Sequence, residues 1–326
     1  MNVVYMDSGT TNTRAYLIRD GAAVAADRAA VGTRDSAIAG NNAVLLRGLK
    51  ELYDRLLAAG GLTDAEIDEI WMSGMVTNGF GIVDVEHMSL PLDAAKAARE
   101  SCTYREDAFF RRDLHLVRGA KTTAPGQAVT MEMLEHVGNV RGEEIELLGL
   151  MADEPQTDAF LAVMPGSHTH VCYVRGGQLV DILSCFTGEL NAAIGAQTIL
   201  SGELARGDVP MQREHVLRGY DYLQRYGLVR ALYIVHASKV FAACSDEART
   251  QMLSGILAGG VAELVARKVA GDWRDAKKAV IIGRQGYIAA YAMLLDRSLG
   301  IPVEQRADAH GIDFALAGLL EILRVR

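Results

Sequence analysis

The beginning of the chain constrains its fold most, because an acid and a glycine follow directly after an apolar segment. Residues 3–6 are apolar and are followed by Asp7, a small polar turn at 8–13 and a second β-like segment at 14–18. This order predicts a strand, a tight turn and a second strand. Gly9 would let the backbone approach a ligand closely, and Asp7 is a suitable ligand for Mg²⁺. An ordinary polar hairpin turn has the same pattern, so both interpretations remain open here.

The length and charge of the chain narrow the classes of function. Its 326 residues suggest two domains, and half of them are hydrophobic, which is enough for a sizeable core. The formal net charge of −8 argues against nucleic acid as a partner, because nucleic-acid binding needs a basic surface. No apolar run reaches the roughly 18 residues of a membrane span. Four widely spaced cysteines show no metal-ligand spacing and are interpreted as reduced thiols of a cytoplasmic protein.

The order of predicted elements repeats once along the chain. After the first two strands come a third strand, an amphipathic helix at 42–58 and a strand at 67–73. A second series begins with an apolar strand at 159–164, a small polar turn at 165–169 and two further strands. Mostly helical sequence follows, with a buried strand that ends at Gly283. The repeat predicts two α/β sheets, each carrying a phosphate-sized turn, that could face each other across a cleft.

Several motifs in the chain resemble those of one kinase family. Residues 7–15 resemble the first phosphate-binding motif of that family, residues 163–168 resemble the second, and residues 280–283 stand where its adenosine motif belongs. Residues 141–149 and 187–190 match two further motifs in the correct order. Taken together, the chain resembles the 2-dehydro-3-deoxygalactonokinases, sugar kinases of the actin/hexokinase/Hsp70-type ATPase superfamily.

The resemblance implies a fold and an activity. The expected fold is α/β, with two ribonuclease-H-like lobes of the actin-like ATPase type facing across a cleft. The N-terminal lobe, 1–138, would carry the first phosphate loop. The C-terminal lobe, 139–326, would carry the second loop and the adenosine motif, and the final helix could pack back on the first lobe. The implied enzyme is a cytoplasmic carbohydrate kinase that uses ATP and Mg²⁺ to phosphorylate 2-dehydro-3-deoxy-D-galactonate at its 6-hydroxyl.

The partners expected from this resemblance are limited. The chain would bind a small-molecule sugar acid, and neither nucleic acid nor a membrane. A homodimer is offered only as the commonest closed assembly. Two alternatives remain open: a kinase for another sugar or sugar acid, and a non-kinase ATPase or sensor of the same superfamily.

The resemblance also implies a set of nucleotide-binding residues. Asp7 would hold Mg²⁺ through waters, and Arg14 would either offset transition-state charge or be an ordinary sheet-edge arginine. His168 and His170 share one strand face, but no third ligand is evident beside them, so a metal site there is not favoured. The expected nucleotide- and phosphate-binding residues are Asp7, Gly9, Thr10, Thr11, Asn12, Arg14, Gly166, Ser167, His168 and Gly283.

The catalytic base is expected at Glu143 or Glu144, near the start of a predicted helix. The helix dipole favours an ionised carboxylate there, and such a carboxylate can accept the proton of a sugar hydroxyl. Adjacent helical residues point about 100° apart, so we expect only one to face the cleft, and alignment with the related kinases favours Glu143. Alternatively, both acids serve only the first helical turn, and Glu146 continues a solvated face.

The resemblance places the sugar-acid site at Met75, Thr77, Asn78, Arg141 and Glu189. Arg141 would either bind the carboxylate of an aldonic acid bidentately or be a solvated neighbour of the glutamates. Glu189 is equally natural as an acid in the first turn of a helix.

Overall fold

The structure is a computed structural model that describes residues 1–154, 158–283 and 288–326. A predicted helix start at Gln285 lies outside these residues. The strands are β1 Asn2–Ser8, β2 Thr13–Arg19, β3 Ala22–Ala29, β4 Glu69–Gly74, β5 Met88–Ser89, β6 Cys102–Glu106, β7 Arg112–Leu116, β8 Ala120–Lys121, β9 Asn139–Val140, β10 Ala159–Pro165, β11 Thr169–Arg175, β12 Gln178–Cys185, β13 Ala276–Ile282 and β14 Val303–Arg306. The helices are α1 Thr33–Ala39, α2 Ala43–Gly60, α3 Ala94–Glu100, α4 Glu143–Ala152, α5 Gly188–Gln197, α6 Arg213–Val240, α7 Asp246–Ala270, α8 Ile288–Leu299 and α9 Phe314–Val325.

The first of two compact units is built on a mixed sheet. It comprises Met1–Gln156, Gly177–Val180 and Ala309–Arg326. Its main sheet has the order β3-β2-β1-β4-β7-β6, in which β1 pairs antiparallel with β2 and parallel with β4. Helix α2 packs on β2 and β3 because its leucines recur on one face. The fully buried residues of that face are Leu45, Leu49, Leu52 and Leu56.

The second unit comprises Thr157–Gly176 and Asp181–Asp308. Its sheet has the order β12-β11-β10-β13-β14. Helices α6 and α7 pack closely through small residues, because a Cβ on Gly255 would lie 2.0 Å from the Val216 carbonyl oxygen. Helix α6 continues to Val240, although Gly227 within it has non-helical angles.

The predicted repetition of the strand layout is confirmed. In each unit three consecutive strands pair in sequence, β3-β2-β1 and β12-β11-β10, and a later parallel strand lies on the other side of the first. The turn after β1 and the turn after β10 therefore occupy equivalent places in their own sheets. Among the described helices, none combines the length and apolar character needed to cross a lipid bilayer.

The extent of the first unit differs from the predicted boundary at residue 138. Helix α4 belongs to this unit because it packs against α9 with their backbones in contact. A Cβ on Gly318 would lie 1.9 Å from the Ile145 carbonyl oxygen, and one on Gly149 would lie 2.2 Å from the Phe314 carbonyl oxygen. Such contacts are open only to glycine, and they bring the end of the chain onto a helix that the sequence analysis assigned to the second lobe.

Candidate active site

The first phosphate loop, residues 9–12, is a tight turn between β1 and β2. The Gly9 amide donates to the Asn12 carbonyl oxygen over 2.9 Å. The side chains of Thr10, Thr11 and Asn12 are exposed. Donor groups at the tip of the loop are therefore accessible from outside the protein.

Helix α1, which the sequence analysis did not predict, supports this loop. Its first backbone amides donate to the loop carbonyls, Thr33 to Gly9 over 3.3 Å and Arg34 to Thr10 over 2.9 Å. A Cβ on Gly32 would lie 2.4 Å from the Thr10 carbonyl oxygen, so glycine is required for this approach. The helix ends at Gly40, which has a left-handed conformation. A glycine in this position is the sequence feature from which the end of the helix could have been predicted.

Arg14 donates hydrogen bonds to three carboxylates at the end of β1. It faces Asp7 across the β1–β2 pair. Its Nη2 donates to Asp7 over 2.6 Å and to Glu146 over 3.3 Å, and its Nη1 donates to Asp313 over 2.6 Å. If all four groups are ionised, the cluster carries a net charge of −2. Among the described residues, no group of three or more acidic, histidine or cysteine side chains is arranged to hold a metal ion. Asp7, at the end of β1, is the carboxylate of this cluster nearest in the chain to the phosphate loop, and a single carboxylate can hold Mg²⁺ through waters.

The electrostatics of this cluster follow from its partial burial. Burial raises the pKa of Asp7, and the neighbouring Arg14 only partly offsets that effect. Burial, followed by repulsion from Asp7, raises the pKa of Glu146 to about 8. Glu146 also accepts from Arg14, so it belongs to this cluster and not to a freely solvated helix face, which corrects that expectation. Helical spacing alone did not indicate it, because the pattern does not show what lies opposite α4.

The start of α4 lies beside the ends of β1 and β4. Gly74 at the end of β4 has φ +83°, and a Cβ there would lie 2.5 Å from the Ser8 carbonyl oxygen and 3.4 Å from Asp7 Oδ1. A Cβ on Gly142 would lie 3.4 Å from the Gly74 Cα. These glycines bring the N-terminus of α4, where Glu143 begins the helix, close to the carboxylate of Asp7.

The two candidate bases have different environments. Glu143 is partly exposed, and its Oε2 accepts from the Arg141 amide over 3.0 Å. Glu144 is fully buried, and its Oε2 accepts from the Gly142 amide over 2.7 Å. Burial, followed by repulsion from Glu143, raises the pKa of Glu144 to about 8. The expectation that Glu144 could be the base is therefore corrected, because a fully buried carboxyl cannot reach a substrate hydroxyl.

The Arg141 guanidinium is directed into the protein and not towards an open site. Its Nη1 donates to the carbonyl and the hydroxyl of Thr77, and its Nη2 donates to the Val85 carbonyl over 3.1 Å. Nη2 also lies 3.2 Å from His87 Nδ1, and burial, followed by repulsion from Arg141, lowers the pKa of His87 to about 4. Arg141 therefore has neither expected role, carboxylate clamp or solvated neighbour. Its hydrogen bonds instead hold the segment 77–87 in place.

The other predicted sugar-acid residues in this unit follow β4. Thr77 is fully buried, and its hydroxyl donates to the Gly74 carbonyl over 2.9 Å, so it supports the backbone and does not face a ligand. Met75 and Asn78 are partly exposed in the same turn. Of the three, these two side chains are accessible for contact with a substrate.

The second unit carries the second phosphate loop, with Gly166, Ser167 and His168. The Gly166 amide donates to the His168 carbonyl over 2.8 Å. The start of α5 lies against this loop, because the Glu189 amide donates to the Ser167 carbonyl over 2.9 Å. A Cβ on Gly188 would lie 2.1 Å from the Gly166 carbonyl oxygen. The exposed Glu189 side chain thus stands in the first turn of a helix, one of its two predicted roles.

An open cleft lies beside the second phosphate loop within this unit. It contains about 380 Å³ of empty space, including its mouth. Its floor is tied to the loop by buried hydroxyls: Thr169 Oγ1 lies 2.8 Å from Thr187 Oγ1 and 2.6 Å from Tyr291 Oη. Mostly apolar walls with a few polar groups suit a nucleobase and ribose. The lining residues are Thr187, Gly188, Asn191, Ser254, Leu257, Ala258, Ala290 and Tyr291.

Gly283, predicted in the adenosine motif, directly follows β13. It has φ +137°, a conformation that side chains rarely adopt, and its amide donates to the Arg306 carbonyl over 3.2 Å. The cleft is lined by α5, α7 and α8, and Gly283 is not among its lining residues. Asn191 and Ser254 line this cleft but were not predicted; the only signal at Asn191 is that it directly follows the motif at 187–190.

Comparisons with known proteins identify the family and the fold of the chain. The model of the 2-keto-3-deoxy-galactonokinase family matches residues 7–322. A Sinorhizobium meliloti protein, provisionally assigned as a 2-dehydro-3-deoxygalactonokinase, is 23% identical, with a TM-score of 0.74 over 99% of this chain and 97% of that one. Component A of the Acidaminococcus fermentans (R)-2-hydroxyglutaryl-CoA dehydratase is 13% identical, with a TM-score of 0.50 over 100% of this chain and 99% of that one. No curated protein matches the sequence.

These findings confirm the predictions of family, fold class and enzyme class. The structural likenesses, at low identity, establish the fold, which is the α/β actin-like ATPase type. The family match, which spans almost the whole chain, establishes the chemistry as phosphoryl transfer to a hydroxyl of a sugar acid. Use of ATP follows from the same match.

Proposed function

Because the chain belongs to the 2-keto-3-deoxy-galactonokinase family, we propose that it transfers the γ-phosphoryl group of ATP to the 6-hydroxyl of 2-dehydro-3-deoxy-D-galactonate. The observation that supports this most is the approach of the α4 N-terminus to the end of β1. It places the start of α4, where the partly exposed Glu143 begins the helix, beside Gly74, which in turn borders Ser8 and Asp7. A kinase needs an acceptor-orienting carboxylate close to its phosphate-binding residues.

Glu143 is the proposed general base. It is the first residue of α4, and its side chain is partly exposed. It would accept the proton of the acceptor hydroxyl as that oxygen forms its bond to phosphorus. Met75 and Asn78, partly exposed in the turn after β4, are proposed contacts for the sugar acid.

The phosphate-binding roles are proposed for the two loops. Gly9, Thr10, Thr11 and Asn12 would bind phosphate oxygens through amides and side chains, and Arg14 would offset their charge. Asp7 would hold Mg²⁺, which neutralises phosphate charge when bound. In the second unit, Gly166, Ser167 and His168 are proposed to contact phosphate. Gly283 is proposed to belong to the adenosine motif, and the cleft is proposed to hold the base and ribose.

A substrate panel tests this proposal. ADP release would be measured with 2-dehydro-3-deoxy-D-galactonate, its C4 epimer, simple aldonic acids and neutral hexoses, each with Mg²⁺ or with excess chelator. We expect Mg²⁺-dependent turnover that is fastest with the named acid, and a product that carries phosphate on its 6-oxygen by ³¹P–¹H NMR. Faster turnover of another sugar acid would mean that this acid, and not 2-dehydro-3-deoxy-D-galactonate, is the acceptor. Equal, slow ADP release with and without every sugar would favour an ATPase or sensor.

A further inference from the structure

Asp313 contacts the site but has no part in the roles proposed above. It is the N-cap of α9, close to the end of the chain. Its Oδ1 accepts from the Ala315 amide over 3.1 Å, and its Oδ2 accepts from Arg14 Nη1 over 2.6 Å. Both oxygens are thus engaged, and the side chain is only 23% exposed. One carboxylate therefore links the beginning of the last helix to the arginine of the first hairpin.

The position of this carboxylate is fixed by the packing beneath it. Helix α9 crosses α4 with backbone contact at Gly318 and Gly149, where any side chain would collide with a carbonyl oxygen. Helix α9 therefore cannot shift along α4 without losing this contact. The same crossing places Glu146 of α4 and Asp313 of α9 on the same guanidinium.

The two ends of the Arg14 guanidinium have different partners. Nη1 donates to Asp313. Nη2 is shared between Asp7 at 2.6 Å and Glu146 at 3.3 Å, and the second contact is long for a charge-assisted hydrogen bond. An arginine held at one end keeps its orientation when an anion competes at the other. Without Asp313, the side chain, which is 42% exposed, could turn towards solvent.

We infer that Asp313 is a positioning residue, which holds Arg14 by Nη1 so that Nη2 is presented beside Asp7 to the phosphoryl group. This inference rests on the proposed role of Arg14 in phosphate binding. Asp313 itself contacts neither substrate nor nucleotide in this scheme, and its effect passes through Arg14.

The matched variants are Asp313→Ser and Asp313→Ala. Serine caps a helix nearly as well as aspartate, but its side chain is too short and uncharged to hold the guanidinium. We expect Asp313→Ser to melt close to the wild-type temperature, whereas Asp313→Ala melts lower. Both should lower kcat roughly tenfold or more, since small misplacements of a catalytic group are costly, with little change in the KM for the sugar acid. Wild-type kcat in Asp313→Ser would overturn the inference.

A double-mutant cycle with Arg14→Ala shows whether the effect passes through Arg14. If it does, Arg14→Ala/Asp313→Ser is no slower than Arg14→Ala alone. If the losses in kcat of the two single variants multiply in the double variant, Asp313 acts by another route. That result would overturn the inference while leaving the proposed function intact.

The same cycle, measured as the Kd of Mg·ATP without sugar, separates this inference from the choice of acceptor. We expect several-fold weaker binding in each single variant and no further loss in the double. If the wild-type protein phosphorylates no sugar acid but shows this coupling, the proposed acceptor fails and the positioning role stands. Mg·ATP affinity unchanged in Asp313→Ser, together with unchanged kcat, would overturn it.

Discussion

Glu143 and Glu144 are neighbours in the chain but lie in opposite environments, since Glu143 is partly exposed and Glu144 is fully buried. The packing of α4 against α9 causes this difference, because it turns one side of the helix into the core of the first unit. The same contact orients Glu143 and Glu146 away from that core. The environments of the two acids suggest separate tests of catalysis and stability.

For catalysis, we expect Glu143→Gln to lower kcat roughly 10²-fold or more while leaving the affinity for ATP unchanged, because the amide cannot accept the acceptor proton. The matched variant is Glu144→Gln, which we expect to keep most of its activity, since Glu144 does not reach a substrate. Steady-state kinetics with the best sugar acid and nucleotide titration provide the measurements. Equal losses in the two variants would contradict the assignment of the base.

For stability, Glu144 predicts a pH dependence. Its folded pKa is about 8 and its ordinary value is 4.5, so between these values the folded protein keeps a proton that the unfolded chain releases. Its contribution to the free energy of unfolding is therefore full below about pH 4.5 and is lost as pH rises to about 8. As pH rises from about 4.5 to about 8, the free energy of unfolding of Glu144→Gln should therefore increase by a few kcal/mol relative to that of the wild type. Urea denaturation of both proteins at several pH values measures this, and parallel pH profiles would contradict the buried, protonated carboxyl.

The cleft of the second unit predicts selective effects at Ser254. Its hydroxyl donates to the Thr250 carbonyl over 3.0 Å within α7, so its hydrogen is already used and is not donated to a ligand. Ser254→Ala should leave kinetics close to wild type. Ser254→Met should fill the cleft and raise the KM for ATP roughly tenfold or more, while the KM for the sugar acid stays constant. An unchanged KM for ATP in a folded Ser254→Met protein would remove the cleft as the nucleotide site.

The end of β4 predicts a strong requirement for glycine. Gly74→Ala would place a Cβ in a left-handed conformation and 2.5 Å from the Ser8 carbonyl oxygen. We expect a loss of about 1–3 kcal/mol in the free energy of unfolding, and a lower kcat because the start of α4 is displaced. Gly79→Ala is the control, since its Cβ would meet no atom within 4 Å. Equal melting temperatures and activities for the two variants would contradict this account of the junction.

The sequence by itself determined the features that depend on nearby residues. The turn after β1, the buried face of α2 and the repeated strand layout follow from spacing and composition over a few residues, where backbone preference and hydrophobic period act directly. The motifs added the family and hence the chemistry. The short helix α1 was not predicted, because its seven residues, about two turns, carry too little periodic signal.

Only the tertiary structure decided which charged groups meet. Arg14 and Asp313 lie 299 positions apart in the chain, and Arg141 reaches partners 54 to 64 positions away. No local pattern encodes such pairs, because they arise when helix α4 packs against α9 and beside the ends of β1 and β4. For the same reason, the sequence could place two glutamates at the start of α4, but only the packing determined that Glu143 remains accessible and Glu144 is buried.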